Sequence, residues 1–225
     1  MKKADIPFGA KSAVIFDMDG LIIDSEPFWV KADLEFFQRR NKKYSVRIHQ
    51  KIMGRGHREI IDDWKKEYEF IGDTDDLINE RKQLFYDQFF KNILLMDGAE
   101  IVIRELYKKG FSLGIATSGH SQKTVKEMLE KLSLNEFFSA IISADEVEKS
   151  KPEPDIFLKA AAKLQKEPSV CLVMEDSPNG VKAGKAAGMR VFGINNNPKL
   201  LKQLQAAGAD KVYSSLTEVN IYENR

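Results

Sequence analysis

The sequence predicts an α/β protein in which an all-helical subdomain interrupts a parallel sheet. After Gly110, short apolar runs alternate with amphipathic segments, a pattern typical of a parallel sheet covered by helices. An apolar run at 12–17 has the length and composition of the later runs but lies far upstream of them. The intervening sequence is rich in Phe, Glu, Lys and Arg and has helical spacing, which indicates an insertion after the first strand.

The elements of the sheet region follow from local patterns. The predicted strands are the apolar runs at 12–17, 111–117, 138–143, 169–176 and 190–195. Three helices begin at residues that favour helix N-termini, namely Ser121, Ser177-Pro178 and Asn197-Pro198. Gly188 and Gly208 are expected to end the second and third of these helices, because glycine is favoured just past a helix C-terminus.

The inserted segment carries three apolar faces at helical spacing. They consist of Trp29, Ala32 and Phe36; of Ile60, Ile61 and Trp64; and of Leu77, Leu84, Phe85 and Phe89. We expect the core domain to comprise residues 1–25 and 95–225 and the helical domain to comprise residues 26–94. The connections between the domains should lie near 24–27 and 94–98.

Composition excludes several classes of function. Lys and Arg number 35 against 34 Asp and Glu, so the formal charge of +1 gives no general attraction for nucleic acid or for an anionic membrane. The 225 residues are 43% apolar, and no segment approaches the roughly 18 apolar residues of a membrane span. The single cysteine, Cys171, lies in an apolar run and is expected to be a buried, inert thiol. We therefore expect a cytoplasmic protein.

One local charge feature lies between Gln38 and Arg58. This stretch contains eight Lys or Arg residues and two His residues but no acid. A solvated surface whose balancing acids lie elsewhere in the chain would explain it. A positive field that attracts an anionic substrate is the functional alternative. A nucleic-acid role has little support, since Tyr44 is the one aromatic residue of the stretch available for base stacking.

Several strands end in groups that suit phosphoryl transfer. The first strand ends in Asp17, with Asp19 two residues later, and the fourth strand ends in Glu175 and Asp176. The carboxyl ends of parallel strands face one crevice, so these four acids should lie together. Such a cluster requires a bound cation or protonated carboxyls. Because all the ligands are oxygens, we expect the cation to be Mg²⁺.

Thr117, Ser118 and Lys151 would complete that site. They offer a hydroxyl, a backbone N–H and a positive charge, which are groups that hold phosphate oxygens in a transition state. A lone Asp after a strand is most often a turn or a helix cap. The occurrence of suitable groups at several strand ends is what favours a site.

Four motifs resemble those of the haloacid dehalogenase superfamily, in the subgroup that contains β-phosphoglucomutase and small sugar-phosphate phosphatases. The first is Phe16-Asp-Met-Asp-Gly-Leu-Ile-Ile-Asp-Ser-Glu-Pro27. The others follow in order: Thr117, Lys151 within Ser150-Lys-Pro-Glu-Pro-Asp155, and Glu175-Asp-Ser-Pro-Asn-Gly180. The resemblance spans nearly the whole chain. It implies a core of Rossmann-like topology, a mobile helical cap, Mg²⁺ and an aspartyl-phosphate intermediate.

The resemblance also implies a role for each matching residue. Asp17 would be the nucleophile, and Asp19 would protonate the leaving oxygen and later deprotonate the attacking water. Asp17, Asp176 and the backbone carbonyl of Asp19 would bind Mg²⁺, with Glu175 acting through a bound water. The residues expected to bind the transferred phosphoryl group are Thr117, Ser118 and Lys151.

Substrate contacts are expected from the helical domain. Gly54-Arg55-Gly56 interrupts a helical stretch, and Arg55 is a candidate to bind a distal phosphate or sugar hydroxyls. A plain turn between two helices is the alternative. Glu26 and Trp29 follow the first connection and are candidates to line the pocket, although Trp29 also fits the apolar face of its helix.

These observations predict a Mg²⁺-dependent phosphatase that hydrolyses small phosphate monoesters, with sugar or sugar-alcohol phosphates as expected substrates. The alternative is a phosphosugar mutase of the β-phosphoglucomutase type. Mutases of that type carry a histidine at the position of Trp29, so its absence favours hydrolysis. Asp19 disfavours a dehalogenase, and the four intact motifs disfavour a catalytically silent binding module. No nucleic-acid or membrane partner is expected, and a monomer is the default for a protein whose cap must move.

Overall fold

The computed structural model describes residues 12–52 and 55–220, and this part of the chain contains a six-stranded sheet. The strands are β1 (Ala13–Phe16), β2 (Ser112–Thr117), β3 (Phe138–Ser143), β4 (Cys171–Glu175), β5 (Arg190–Ile194) and β6 (Lys211–Tyr213). Their order is β3-β2-β1-β4-β5-β6, and every neighbouring pair is parallel. The predicted α/β class and the Rossmann-like parallel sheet are confirmed.

The helices form two groups along the chain. The insertion contains α1 (Glu26–Gln38), α2 (Val46–Ile52), α3 (His57–Tyr68) and α4 (Thr74–Phe89). The sheet is accompanied by α5 (Ala99–Lys108), α6 (Gln122–Lys131), α7 (Asp155–Lys163), α8 (Pro178–Ala186) and α9 (Pro198–Ala206). Short 3₁₀ helices lie at Asn135–Phe137, Ala144–Glu146, Pro168–Val170 and Leu216–Glu218. Within the described ranges, none of these helices combines the length and apolar character that a bilayer crossing requires.

The central strands are buried along their whole length. All residues of β1 and β4 are buried, as expected for a parallel sheet with both faces covered. Cys171 begins β4 and is buried, as predicted, and burial raises the pKa of its thiol to about 11. The edge strand β6 was not predicted, because its three partly exposed residues are too short for a hydrophobic pattern.

The predicted helix starts are confirmed by their capping contacts. The side chains of Ser121, Ser177 and Asn197 each accept a hydrogen bond from a backbone N–H two or three residues later. α8 and α9 end two residues before Gly188 and Gly208, whose φ angles of 74° and 102° are readily adopted by glycine.

The chain divides into two compact units. One is formed by the described parts of Met1–Asp24 and Leu94–Arg225, and the other by Ser25–Ile93. Within the first unit, the segments that lead to and from the second unit pair with each other. Ile23 and Leu95 form an antiparallel bridge, and the Asp24 N–H donates to the Leu94 carbonyl at 2.9 Å.

The helical unit is packed around aromatic side chains. Phe37 is fully buried and makes edge contacts with Trp64 and Phe70 at ring-centroid distances of 4.9 and 5.0 Å. The three predicted apolar faces are buried except at Trp29, which is half-buried and stacks on Phe85 at 4.0 Å. These contacts hold the helices together through their apolar faces.

A buried ion pair joins two helices of the same unit. Arg81 in α4 binds Asp33 in α1 through two hydrogen bonds, Nε to Oδ1 at 2.6 Å and Nη2 to Oδ2 at 3.0 Å. The Tyr44 hydroxyl donates to Asp33 Oδ2 at 3.0 Å, and Arg81 Nη1 lies 2.9 Å from His57 Nδ1. We call these four residues, Asp33, Tyr44, His57 and Arg81, the helical polar cluster.

Candidate active site

Three adjacent strands bring their carboxyl ends to one edge of the sheet. β1 lies between β2 and β4, and Thr117, Asp17 and Glu175 stand at or directly after the ends of these strands. The Asp17 N–H donates to the Met174 carbonyl at 3.0 Å, which continues the pairing of β1 with β4 beyond the last residue of β1. The polar residues that follow these strands therefore converge.

Lys151 binds two of the converging acids. Its Nζ donates to Asp17 Oδ1 at 2.5 Å and to Glu175 Oε1 at 2.7 Å. It also donates to the Ala116 carbonyl at 3.1 Å. An ammonium has three N–H donors, so these partners satisfy it completely. The side chain is only 7% exposed, so protein groups rather than water stabilise its charge.

The residues at the start of α8 hold the Glu175 carboxyl at the end of β4. Glu175 Oε2 accepts hydrogen bonds from the Ser177 N–H at 2.7 Å and from the Ser177 hydroxyl at 2.9 Å. A side chain at Gly180 would collide with the Glu175 carboxyl, and a side chain at Gly20 would collide with the Asp176 carboxyl. These two glycines leave the space that the carboxyls occupy. We call Asp17, Lys151, Glu175 and Asp176 the strand-end cluster.

Burial dominates the electrostatics of the strand-end cluster. Desolvation raises the pKa of Asp17 to about 7, although the charge of Lys151 acts in the opposite direction. Desolvation also raises the pKa of Asp176 well above its ordinary value, and the charges of Glu175 and Asp17 add to this rise. Burial alone would lower the pKa of Lys151, but the charges of Asp17 and Glu175 outweigh it. The pKa of Lys151 is therefore raised, and the residue stays an ammonium.

The acids of the cluster are arranged as a cation site. One carboxylate oxygen from each of Asp17, Glu175 and Asp176 lies within 4.8 Å of the others. Oxygen donors with an excess of negative charge fit a hard cation such as Mg²⁺. A cation bound there would favour the ionised carboxylates, and so it would oppose the burial that raises their pKa values.

The other predicted core residues lie at the end of β2 and in the loops after β1 and β2. Thr117 is buried, and its Oγ1 accepts a hydrogen bond from the Gly119 N–H at 3.2 Å. Ser118 is exposed. Asp19 is half-buried, and its Oδ1 lies 3.0 Å from Nε2 of His120. The sequence analysis did not identify His120, because a single histidine after a strand has no distinctive spacing.

Arg55, a predicted substrate residue, lies in the helical unit between α2 and α3. Its guanidinium forms ion pairs with Glu59 at 2.7 Å and with Asp63 at 2.6 Å. Glu59 and Asp63 lie on α3, and Arg55 lies just before it. Arg55 and Asp63 line a cavity of about 220 Å³ in this unit. Arg55 and Gly56 are non-helical, whereas Gly54 lies outside the described residues.

Glu26, the other predicted substrate residue, begins α1 of the helical unit. Its side chain is 49% exposed, and Oε1 lies 2.5 Å from His49 Nε2. The other ring nitrogen of His49 lies 3.0 Å from the Tyr44 hydroxyl. Glu26 is thereby linked through His49 to the helical polar cluster. These contacts do not test a role toward substrate, which stays a prediction for Glu26 and for Arg55.

The basic stretch from Gln38 to Arg58 is matched by acids of the helical unit. Ion pairs join Arg39 and Arg40 to Glu80, Lys42 to Glu69, Lys51 to Glu67, Arg55 to Glu59 and Asp63, and Arg58 to Asp75. Most of these side chains are partly or largely exposed, as in an ordinary solvated surface. The pairing favours that interpretation over a positive field for an anionic substrate.

Comparison with known proteins places the chain in a family. The haloacid dehalogenase-like hydrolase family matches residues 14–194, which is most of the chain. The chain therefore belongs to the haloacid dehalogenase-like hydrolases. The matched range includes all four residues of the strand-end cluster.

Individual relatives match over nearly the full chain. The chain is 31% identical to the phosphorylated carbohydrates phosphatase of Thermotoga maritima, over 88% of this chain and 91% of that protein. It is 34% identical to the bifunctional riboflavin kinase/FMN phosphatase of Arabidopsis thaliana over 93% of this chain, and it spans 55% of the length of that relative. A solved haloacid dehalogenase hydrolase of family IA from Entamoeba histolytica superimposes with a TM-score of 0.82 at 29% identity, covering 93% of this chain and 96% of that one.

Proposed function

We propose that this protein is a Mg²⁺-dependent phosphatase that hydrolyses small phosphate monoesters through an aspartyl-phosphate intermediate. The observation that carries the proposal is the strand-end cluster, where Lys151 and three carboxyls meet at the end of β1. The name of the Thermotoga maritima relative supports phosphorylated carbohydrates as substrates. We therefore expect sugar or sugar-alcohol phosphates.

Asp17 and Asp19 carry the two chemical steps of the proposed reaction. An Asp17 carboxylate oxygen attacks phosphorus, the bond from phosphorus to the ester oxygen breaks, and Asp19 gives its proton to the departing alkoxide. Asp19 then takes a proton from water as that water attacks the phosphorus of the aspartyl phosphate. The bond from phosphorus to the Asp17 oxygen breaks, inorganic phosphate leaves, and both carboxyls return to their initial states.

The other predicted site residues of the core would bind the metal ion and the phosphoryl group during these steps. Asp17, Asp176 and the backbone carbonyl of Asp19 would hold Mg²⁺, with Glu175 acting through a bound water. The ion would supply positive charge to the phosphate oxygens and to the crowded carboxylates. Lys151, the Thr117 hydroxyl and the Ser118 N–H would bind the transferred phosphoryl group, where preformed donors stabilise developing negative charge.

The remaining expectations belong to the same proposal. Arg55 and Glu26 stay candidates for substrate recognition. We expect such an enzyme to be a cytoplasmic monomer. Its partner would be a small phosphate ester, and no nucleic-acid or membrane partner is expected.

A phosphate-release assay tests the proposal. Purified protein and the Asp17→Asn variant are incubated with sugar, sugar-alcohol, nucleotide and glycerol phosphates, in Mg²⁺ and in EDTA. We expect release from at least one sugar or sugar-alcohol phosphate by the unaltered protein in Mg²⁺ only, because the amide that Asp17→Asn introduces is a poor nucleophile. Undiminished turnover by freshly purified Asp17→Asn would contradict the mechanism. Conversion of a sugar 1-phosphate to the 6-phosphate without phosphate release would identify a mutase instead.

A further inference from the structure

His120 is a buried polar side chain to which the proposed mechanism gives no role. The residue is 4% exposed, and its side chain is completely buried. Burying an imidazole without a hydrogen-bonding partner is unfavourable. Its Nε2 lies 3.0 Å from Oδ1 of Asp19, which is hydrogen-bonding distance. In the tautomer that carries its proton on Nε2, the ring N–H donates to the carboxylate.

The residue before His120 leaves space for the same carboxyl group. A Cβ atom at Gly119 would lie 2.6 Å from Asp19 Oδ2, so a side chain at this position would displace the Asp19 carboxyl. His120 therefore lies at hydrogen-bonding distance from Oδ1 of Asp19, and Gly119 leaves room for Oδ2. The contact with His120 restricts rotation of the carboxyl group, and the absence of a side chain at Gly119 permits the orientation that results.

The next residue fixes the position of this loop. Ser121 is the N-cap of α6, and its hydroxyl oxygen accepts a hydrogen bond from the Thr124 N–H at 3.3 Å. The Gly119 N–H donates a hydrogen bond to Oγ1 of Thr117, the last residue of β2. The Gly119-His120 pair is thus held between a buried strand and a capped helix, which are rigid supports for orienting another side chain.

We propose that His120 is a positioning residue that orients the Asp19 carboxyl toward the leaving oxygen. The inference rests on the proposed phosphatase function, because it assigns Asp19 the transfer of a proton to that oxygen. A general acid must lie within hydrogen-bond reach of the atom that it protonates, and a small misplacement costs much of its effect. His120 does not contact substrate in this proposal and acts through Asp19.

Leaving-group dependence distinguishes positioning from a structural role. A sugar phosphate has an alkoxide leaving group that needs the proton from Asp19, whereas p-nitrophenyl phosphate has a leaving group that is stable without it. We compare kcat/KM for p-nitrophenyl phosphate and for the best sugar or sugar-alcohol phosphate of the release assay, because kcat/KM reports the first irreversible step. His120→Leu should lose roughly tenfold or more on the sugar phosphate and much less on the aryl phosphate.

Two amide variants, His120→Gln and His120→Asn, test the same inference. They keep it testable if His120→Leu does not fold. His120→Gln can place an amide nitrogen near the position of Nε2, whereas the shorter side chain of His120→Asn cannot reach it. We expect His120→Gln to restore most of the sugar-phosphate activity and His120→Asn to resemble His120→Leu. Circular dichroism and thermal unfolding establish that each compared variant is folded.

A double mutant completes the test. Adding His120→Leu to Asp19→Asn should lower kcat/KM for the sugar phosphate little further, because the group that His120 orients is already changed. Equal losses on both esters, equal behaviour of the Gln and Asn variants, or fully multiplicative losses in the double mutant would overturn the inference. If the unaltered protein hydrolyses neither p-nitrophenyl phosphate nor any sugar or sugar-alcohol phosphate of the release assay in Mg²⁺, the proposed function fails and this inference fails with it.

Discussion

The two buried polar clusters of this protein differ in how their charges balance. In the helical polar cluster, one guanidinium binds one carboxylate through two hydrogen bonds, with Arg81 and Asp33 almost completely buried. In the strand-end cluster, one ammonium faces three carboxyls, and two of these, Asp17 and Asp176, have raised pKa values because burial disfavours their charged forms. The Arg81–Asp33 pair of the first cluster is neutral by itself, whereas the charged groups of the second cluster do not balance.

This difference distinguishes a structural ion pair from the site that we propose for the chemistry. A bidentate Arg–Asp pair fixes the relation of two helices, and its buried charges need no additional partner. An excess of buried carboxyls is unfavourable until a cation or protons compensate it. The strand-end cluster therefore has the composition expected of a group that binds Mg²⁺ and a phosphoryl group during a reaction.

The largest effect on stability is expected from breaking the neutral cluster. Arg81→Leu leaves Asp33 buried without its guanidinium, and we expect a loss of about 3–5 kcal/mol in the free energy of unfolding. Urea unfolding followed by circular dichroism measures the loss. The matched control is Arg58→Leu, which removes an exposed partner of Asp75 and should leave the unfolding midpoint nearly unchanged.

A rescue experiment sharpens that result. Replacing both partners with apolar residues, Asp33→Leu with Arg81→Met, should recover most of the lost stability because no unpaired charge remains. If Arg81→Leu unfolds at the same urea concentration as the unaltered protein, the pair does not stabilise the helical unit and the comparison fails.

Removing a carboxyl from the strand-end cluster should have the opposite sign. We expect Asp176→Asn to raise the Tm of the metal-free protein by about 2–4 °C, the shift that 1 kcal/mol produces in a protein of this size. The same variant should lose most of the Tm increase that Mg²⁺ gives the unaltered protein. Thermal unfolding in EDTA and in Mg²⁺ measures both quantities. A metal-free Asp176→Asn protein that is strongly destabilised would show that this carboxyl has a structural role like that of Asp33.

A smaller effect on stability is expected when the pH is changed in the absence of metal. Burial raises the pKa of Asp17 from 3.8 to about 7, so the folded state binds this proton more tightly than the unfolded state does. The contribution of Asp17 to stability therefore falls as pH rises from about 4 to about 7 and is constant above that range. In EDTA, the decrease in Tm between about pH 5.5 and about pH 7.5 should be larger in the unaltered protein than in Asp17→Asn. Identical decreases in the two proteins would show that the Asp17 carboxyl does not titrate in this range.

The smallest effect is expected at Arg55. If its guanidinium also binds a remote part of the substrate, Arg55→Ala should raise KM by about two- to fivefold and leave kcat unchanged. Steady-state kinetics on the best substrates measure both constants, with Arg58→Ala as a control from the same basic stretch. Unchanged KM values across those substrates would assign Arg55 to its ion pairs with Glu59 and Asp63 alone.

The strand-end residues could be found from the sequence because strand topology determines where they lie. Asp17 and Glu175 follow buried apolar runs, and the carboxyl ends of neighbouring parallel strands meet. The hydrogen bonds from Lys151 to Asp17 and Glu175 depend on the three-dimensional arrangement of the strand ends. Spacing along the chain does not predict them. The Ser177 contact to Glu175 was likewise absent from the sequence analysis, although Ser177 was recognised as a helix cap.

The helical polar cluster could not be predicted in this way. Asp33 and Arg81 are separated by 48 positions on two helices whose relative register depends on aromatic packing. Sequence periodicity identifies which face of each helix is apolar but does not show which charged residue of one helix meets which of another. His120 was missed for a related reason, since its partner Asp19 lies 101 positions away on another strand-end loop.

Trapping the phosphorylated protein tests the central claim most directly. The Mg²⁺-loaded protein is mixed with a ³²P-labelled substrate identified by the release assay, quenched in acid during turnover and digested for peptide mapping. The proposed mechanism predicts label on the peptide that contains Asp17, sensitivity of this label to hydroxylamine, and no label in Asp17→Asn. Label on a different residue, or full turnover by Asp17→Asn without any labelled peptide, would contradict the assignment of the strand-end cluster as the phosphoryl-transfer site.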